Sequence, residues 1–127
     1  MRHQAAAAGL FLVTAGSALA ADVSGLPMPL ACSGGEPFWG LSIKDGRHAV
    51  YTWDNQPVPW KVQSVSHAAG RPTTWRVTFE GKDRYAYIFD EGQQSCSDSD
   101  GDEPLAYGML LQDGEGLFRG CCNPAQP

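Results

Sequence analysis

The sequence has few basic residues and few long apolar runs. Nine Lys and Arg stand against fourteen Asp and Glu in 127 residues, which gives a formal net charge of −5 at pH 7. Phosphate backbones and anionic lipid surfaces repel such a chain, so neither is expected as a partner. One apolar run, at residues 5–15, is too short for a permanent membrane span, and no second long run follows it. We therefore predict a protein that neither binds nucleic acid nor spans a membrane.

Motifs typical of catalysis are also lacking. No Gly-rich loop precedes a helix, no nucleophile-elbow motif is present, and the cysteines lack C-x-x-C spacing. Beyond residue 20 only two histidines remain, His48 and His67, and no triad pattern accompanies them. Zinc ligation would require reduced cysteines, against the exported location inferred below. We predict a protein that is not an enzyme and needs no cofactor.

The first twenty residues have the pattern of a secretory signal peptide. A short basic start, MRHQ, precedes the apolar run 5–15, and Ala18 and Ala20 place small residues three and one positions before a cut. Cleavage would leave Ala21 as the mature N-terminus. The remaining 107 residues suit one domain and carry a net charge of about −6 once Arg2 is removed. We predict a periplasmic or secreted protein.

Anchoring to the membrane by a lipid on Cys32 is the less favoured alternative location. Ala31 fits a lipidation box, but Pro29 stands where an aliphatic residue is expected. Cys32 also lies well beyond the apolar run. A soluble exported protein fits these residues better.

The exported part contains four cysteines, Cys32, Cys96, Cys121 and Cys122. An even number in an oxidising compartment predicts two disulfides. Neighbouring cysteines seldom bridge to each other, because the small ring strains the intervening peptide. Cys121 and Cys122 should therefore have partners elsewhere, and four cysteines allow three pairings.

Strand patterns follow one another along the mature chain, with no convincing helix. Residues 74–80 are the clearest case, because Trp75, Val77 and Phe79 alternate with polar residues. Such alternation is expected of a strand whose sheet has one buried and one solvent-exposed face. Turns that contain Asp-Gly or Gly-Lys-Asp separate several of the strands. The predicted strands are 38–43, 48–53, 60–66, 74–80, 84–89, 105–112 and 117–120.

These patterns predict an all-β domain over residues 36–127. We expect a small antiparallel up-and-down barrel of six or seven strands, stapled by two disulfides. Residues 21–35 are rich in Gly, Pro and small side chains and are predicted to be an irregular lead-in. Residues 54–59 contain two prolines, which cannot donate to a strand ladder, and are predicted to break the pattern.

Three motifs resemble a family of small bacterial periplasmic or envelope proteins with no established activity. Residues 32–39 (CSGGEPFW) resemble its C-x-G-x-E-P-F-W start, residues 96–98 (CSD) resemble its C-x-D segment, and residues 120–122 (GCC) resemble its closing G-C-C. The chain departs from the family at residues 99–102, where SDGD replaces Gly-Met-Ser-Asp. The resemblance implies an envelope protein and leaves its activity open.

The resemblance also implies a disulfide pairing. Members of the family often keep only the middle cysteine and the first of the closing pair. This implies a bond between Cys96 and Cys121, which leaves Cys32 to pair with Cys122. Neighbours on a strand point to opposite faces, so the two closing cysteines can reach different partners.

The acidic loop 98–103 is a candidate calcium site. Asp98, Asp100 and Asp102 supply carboxylates at the one-three-five spacing of a calcium loop. Glu103 stands where an EF-type loop needs glycine, and Met109 stands where a bidentate glutamate belongs. A solvated acidic tip anchored by Cys96 is therefore the favoured interpretation, and weak divalent-cation binding is the alternative.

Aromatic residues beside polar ones form a candidate binding surface. Glu36 and Trp39 belong to the EPFW stretch, and Trp53 and Trp60 flank residues 54–59. An exposed indole beside polar groups suits carbohydrate or protein ligands. The competing interpretation is structural, with the aromatics in the core and Glu36 bonded to backbone N–H groups or paired with an arginine.

We expect from the sequence a monomeric, non-catalytic binding or inhibitor-like module of the cell envelope, whose ligand is a protein or a carbohydrate. The first alternative is a calcium-binding role for the acidic loop. The second is a redox role for the neighbouring Cys121 and Cys122.

Overall fold

A computed structural model describes residues 24–35, 38–90, 96 and 105–125. Eight antiparallel strands in chain order form a closed barrel, in which each strand pairs with the next and the last pairs with the first. The all-β up-and-down barrel with two disulfides is confirmed, and the predicted number of strands was slightly too low. The strands are β1 (Leu30–Gly35), β2 (Phe38–Ile43), β3 (His48–Trp53), β4 (Gln56–Ala68), β5 (Arg71–Phe79), β6 (Arg84–Asp90), β7 (Tyr107–Asp113) and β8 (Leu117–Pro124).

The additional strand, β1, lies inside the predicted irregular lead-in. Its sequence, LACSGG, has none of the aromatic or β-branched residues that usually mark a strand. It nevertheless pairs with β2 on one side and with β8 on the other, and Leu30, Cys32 and Gly34 are buried. The prediction of an irregular segment was therefore wrong for residues 30–35, because pairing on both edges overrides a weak local preference.

The predicted break at residues 54–59 is a two-residue hairpin turn followed by the start of β4. Asp54 and Asn55 both have positive φ, 53° and 62°, which suits a turn whose twist matches the flanking strands. Val62 is the first residue of β4 that pairs with β5. Among the described residues, the part of β4 before Val62 pairs only with β3, and such an edge tolerates Pro57 and Pro59.

Side chains from all eight strands fill the inside of the barrel. Alternate residues point inward, and the inner rows contain three of the four tryptophans, so the interior is a packed core. The buried inner residues are Leu30, Cys32, Trp39, Leu41, Ile43, Ala49, Tyr51, Trp60, Val62, Trp75, Val77, Phe79, Ala86, Ile88, Met109, Leu111 and Cys122.

The two ends of the barrel differ. One end, here called the turn end, contains the connections from each odd-numbered strand to the next: β1–β2, β3–β4, β5–β6 and β7–β8. At the other end, residues 24–29 fold across the barrel and place Leu26 in the core. The Trp75 Nε1–H group donates a hydrogen bond to the Ser24 carbonyl oxygen at 2.9 Å, which holds this segment in place.

The two disulfides join at neighbouring positions of β8. Cys122 faces the core and bonds Cys32 on β1, and Cys121 bonds Cys96 from the other face of the strand. The backbones of Cys96 and Leu105 also pair: each N–H group donates to the other residue's carbonyl oxygen, with N to O distances of 2.9 and 2.7 Å. The pairing is the one that the family resemblance implied.

The Trp39 indole occupies a space that two glycines leave open. A Cβ atom on Gly34 or on Gly120 would overlap the Trp39 ring, and on Gly120 it would also strike the Ser33 carbonyl oxygen. The CSGGEPFW and GCC motifs therefore meet at the junction of β1, β2 and β8. Packing of this junction is a structural reason for residues of both motifs.

Candidate binding surface

Six large hydrophobic side chains remain exposed in the described part of the chain. Four of them lie at the turn end; we call them the aromatic rim: Phe38, Trp53, Val58 and Leu117. Phe38 and Leu117 are the most exposed, at 62 % and 64 %. Contiguous exposed apolar side chains are typical of a binding surface, and two of these four, Phe38 and Trp53, line one pocket.

The remaining two exposed hydrophobics, Tyr87 and Leu110, form a separate pair. They lie directly opposite each other on β6 and β7, on the outer face of the barrel. Their exposed fractions, 39 % and 36 %, are smaller than those of Phe38 and Leu117. They provide a natural comparison for the aromatic rim, because they are apolar and exposed but lie on the side of the barrel.

An open pocket lies within the aromatic rim. Phe38, Trp53, Asp54 and Asn55 line it, and its volume is about 220 Å³. The strand register brings these residues together, because Trp39 pairs with Trp53 and the next residues toward the turn end are Phe38 and Asp54. We call these four residues the rim pocket.

Packing on its inner side holds the Trp53 ring in place. Its ring centroid lies 5.5 Å from that of Phe118 and 6.5 Å from that of Tyr51. The outer part of the ring stays open to solvent, with 39 % of the residue exposed. A ring that the fold already orients loses little conformational freedom when a ligand covers it.

Aromatic rings also close the barrel beneath the rim. Tyr51, Trp60 and Phe79 follow one another with ring centroids 4.4 and 5.0 Å apart. The Arg84 guanidinium lies over the Trp60 ring, with its carbon 4.7 Å from the ring centroid. Any ligand at this end must therefore bind on the surface of the barrel and not inside it.

A buried tyrosine is bonded to a carboxylate at the same end. The Tyr51 hydroxyl donates a hydrogen bond to Asp113 Oδ2 at 2.8 Å, and the Glu115 and Gly116 N–H groups each donate to Asp113 Oδ1 at 2.9 Å. Burial acts to raise the pKa of Asp113, but these hydrogen bonds outweigh it and place the pKa below its ordinary value. Burial, and next the bond to Asp113, raise the pKa of Tyr51. The arrangement fixes the β7–β8 turn.

The structure changes the predicted binding surface. Trp39 and Trp60 are buried, with 1 % and 4 % of each residue exposed, so the prediction that they present an outer surface is wrong. Trp53 does lie at the surface, in the rim pocket. Glu36 lies outside the described residues, and its predicted role stays a prediction.

Sequence reasoning missed three of the four rim-pocket residues. Neighbours on a strand face opposite sides, so burial of Trp39 directs Phe38 outward. The Asp54–Asn55 pair is a signal for a tight hairpin turn, because both residue types tolerate positive φ. With this turn assigned, Trp53 and Phe38 could have been placed at one end of the barrel.

The predicted calcium ligands lie outside the described residues. Asp98, Asp100 and Asp102 belong to the acidic loop, between Cys96 and Leu105. Within the part of the chain that the structure describes, no group of three His, Cys, Asp or Glu residues could hold a metal ion. Calcium binding by the loop stays a prediction.

The neighbouring cysteines are not bonded to each other. Cys121 and Cys122 form disulfides with different partners, and all four cysteines are at most 5 % exposed. A redox role for this pair stays a prediction. Among the described residues, no helix is long and apolar enough to cross a membrane.

Comparisons with known proteins add no relative. No protein-family model, no curated protein and no solved structure matches the chain significantly.

Proposed function

We propose that this protein is a non-catalytic binding module of the bacterial cell envelope, and that the aromatic rim holds its protein or carbohydrate ligand. The observation that carries the proposal is the exposure of Phe38, Trp53, Val58 and Leu117 at one end of a filled barrel, with Phe38 and Trp53 lining one pocket. Complete burial of a large apolar side chain contributes about 1.5 to 3 kcal/mol, so a ligand that covers Phe38 and Leu117 gains a useful driving force.

The rigidity of the scaffold supports a binding role. Each strand of the closed barrel pairs with two neighbouring strands, one disulfide joins the first strand to the last, and the other ties Cys96, between β6 and β7, to β8. A rim held in place before binding avoids the ordering cost that a loose loop would incur. This arrangement suits a module that recognises a ligand without a large conformational change.

The cellular location of the protein is part of the same proposal. The two disulfides are compatible with an oxidising, secreted or periplasmic location. We propose that residues 1–20 direct export, that cleavage precedes Ala21, and that the CSGGEPFW, CSD and GCC motifs mark membership of the envelope family named above. The negative charge of the exported part argues against nucleic acid as the ligand.

A retention assay tests the proposed role of the aromatic rim. The purified protein is mixed with two bacterial envelope fractions, peptidoglycan sacculi and detergent-solubilised envelope proteins, and the retained amount is measured against concentration. We expect saturable retention by one fraction. The double variant Phe38→Ser/Leu117→Ser should weaken it at least tenfold.

The variant Tyr87→Ser/Leu110→Ser is the matched control, because it also removes two exposed apolar side chains but from the side of the barrel. Its retention should equal that of the wild-type protein. Urea unfolding of both variants establishes that each is folded. Equal retention of the rim variant and the wild type, or no retention by either fraction, would exclude the rim as the binding surface.

A further inference from the structure

We propose that the rim pocket binds one neutral six-membered sugar ring of an envelope carbohydrate, packed against the Phe38 and Trp53 rings and hydrogen-bonded by Asp54 and Asn55. This inference rests on the proposed function and assigns a ligand class to the same surface. It follows from the residue types in the pocket, their orientation and the charge around them.

The aromatic walls suit one face of a sugar ring. The ring hydrogens of a pyranose form an apolar patch that packs flat against the electron-rich face of an aromatic ring. Phe38 is 62 % exposed, and the Trp53 ring is held from behind by Phe118 at 5.5 Å. Aromatic side chains provide a large contact area at low entropic cost, which favours them in such sites.

The polar wall suits the hydroxyl groups at the edge of the sugar. Asp54 supplies two acceptor oxygens, and Asn55 supplies an acceptor and two N–H donors. In the part of the chain that the structure describes, neither side chain has a hydrogen-bond partner, so both are available to a ligand. Sugar hydroxyls both donate and accept, and this pair satisfies both roles.

The turn fixes these two groups relative to the rings. Asp54 and Asn55 are the two central residues of the β3–β4 hairpin, with φ of 53° and 62°. Trp53 and Gln56 pair on either side of the turn, which leaves the turn little freedom. The pocket thus combines an apolar wall and a polar wall on one rigid hairpin, with Phe38 from the adjacent strand.

Charge selects a neutral sugar over an acidic one. Carboxylates outnumber cations in and beside the described turns at this end, and the whole chain carries a net charge of −5. Uronic acids and sulfated sugars would be repelled by this surface, most directly by Asp54. The residues concerned are Asp54, Glu80, Asp83, Asp113 and Glu115 against Lys82 and Arg84.

The size of the pocket limits the contact to about one ring. Its volume of about 220 Å³ is below the range of roughly 300 to 1,000 Å³ typical of pockets that enclose a drug-sized ligand. An open pocket of this size suits a terminal or branching unit of a longer glycan. Affinity for a single sugar should therefore be weak and should rise with the number of units presented.

Direct titration tests the inference. Neutral hexose oligomers and N-acetylhexosamine oligomers are titrated into the mature protein, with calorimetry and tryptophan fluorescence as readouts, and a uronic acid oligomer of equal length serves as the charged comparison. We expect one neutral series to bind with a change in tryptophan emission. The uronic acid oligomer should bind at least tenfold more weakly.

Substitutions in the pocket separate sugar stacking from general apolar contact. Phe38→Leu keeps an apolar side chain but removes the flat ring, and it should weaken sugar binding at least fivefold, whereas Phe38→Tyr should retain it. Asn55→Gly keeps a residue that accepts positive φ and removes the amide, so it should weaken binding severalfold with the turn intact. The variant Tyr87→Ser/Leu110→Ser should bind as the wild type does.

The outcomes distinguish this inference from the proposed function. If no oligomer binds, or if Phe38→Leu binds a sugar as well as the wild type does, the sugar assignment is wrong. If, in addition, retention by envelope proteins still depends on Phe38 and Leu117, the rim is a protein-binding surface and the proposed function stands. If retention is independent of the rim as well, both proposals fail.

Discussion

Cys32 lies directly opposite Cys122 across the junction of β1 and β8, and their Cα atoms are 4.0 Å apart. The bond between them joins the first strand to the last from inside the barrel. Cys121, one residue earlier, faces the other way and holds Cys96 at a Cα distance of 5.7 Å. The alternation of side chains along β8 thus lets two adjacent cysteines serve two different links.

The two disulfides should contribute unequally to stability. The bond between Cys32 and Cys122 spans 90 residues and that between Cys96 and Cys121 spans 25. A disulfide stabilises a fold by restricting the unfolded chain, and the longer loop gives the larger effect. Replacing Cys32 and Cys122 by Ala should therefore lower the free energy of unfolding by roughly 4.6 kcal/mol, and replacing Cys96 and Cys121 by Ala should lower it by roughly 3.5 kcal/mol. Urea unfolding of the two double variants measures both values. A larger loss for Cys96 and Cys121 would contradict the entropic account.

The glycines beside Trp39 should not tolerate a methyl group. Gly34→Ala and Gly120→Ala place a Cβ against the indole, so each should lower the free energy of unfolding by about 3 kcal/mol or prevent folding. Gly40→Ala is the control, because the nearest atoms lie 3.8 and 3.9 Å from its added Cβ. We expect the control to unfold within about 0.5 kcal/mol of the wild type. Equal effects at all three positions would refute the packing argument.

The bond between Tyr51 and Asp113 should make stability depend on pH. Hydrogen bonds lower the pKa of Asp113 below 3.8, so its contribution is present above that value and is lost as pH falls through the lowered pKa. Asp113→Asn should therefore be less stable than the wild type near neutral pH, by about 1 kcal/mol, and the difference should shrink as the pH falls below the ordinary value of 3.8. Denaturant unfolding across this range is the measurement, and a difference independent of pH would oppose the prediction.

Tyr51→Phe tests the same bond from the other side. It removes the hydroxyl and keeps the buried ring, so it should cost about 1 kcal/mol near neutral pH. The raised pKa of Tyr51 means that the wild type loses stability as pH rises above about 10, because the unfolded tyrosine ionises first. The phenylalanine variant should show a smaller loss there. Identical alkaline profiles would rule out a contribution from this hydroxyl.

Calcium binding by the acidic loop can be decided by thermal unfolding. Asp98, Asp100 and Asp102 have the spacing of ligands for a hard cation, and a ligand that binds the folded state raises the melting temperature. A rise at calcium concentrations below about 1 mM, lost in Asp98→Asn/Asp100→Asn, would establish a site. No shift would leave the loop as a solvated acidic tip. Magnesium at equal concentration controls for general screening of charge.

The export prediction calls for an intact mass of the secreted protein, before and after reduction, with free thiols blocked. We expect a chain that starts at Ala21 with no blocked thiol, and a peptide map that joins Cys32 to Cys122 and Cys96 to Cys121. An added diacylglycerol mass on Cys32 would show that the protein is anchored by a lipid and would contradict the predicted soluble exported form. Blocked thiols at Cys121 or Cys122 would favour redox or metal chemistry instead.

Local signals predicted most of the strands, because alternation over several residues is strong evidence of a sheet surface. The stretch around Trp75, Val77 and Phe79 is such a case, and all three residues are buried inside the barrel. The prediction of a break at Pro57 and Pro59 was wrong, since the effect of a proline depends on whether its strand is paired on one side or on both. Among the described residues, this part of β4 pairs with β3 and not with β5, which only the strand registers show.

The candidate site was less predictable than the fold. Four tryptophans look alike in the sequence, and only barrel closure decides that Trp39 and Trp60 are buried and Trp53 is not. The rim pocket joins Phe38 from β2 to the turn after β3, so it exists only when those strands are in register.

The sequence by itself determined an all-β domain, a net negative charge and two disulfides, because these follow from local periodicity, composition and cysteine number. The tertiary structure decided the eighth strand, the closure of the barrel and the face that each aromatic presents. The physical reason lies in β1, whose small residues have little strand preference of their own. This segment becomes a strand because both β2 and β8 offer backbone partners, and its small Gly34 leaves the space that Trp39 fills.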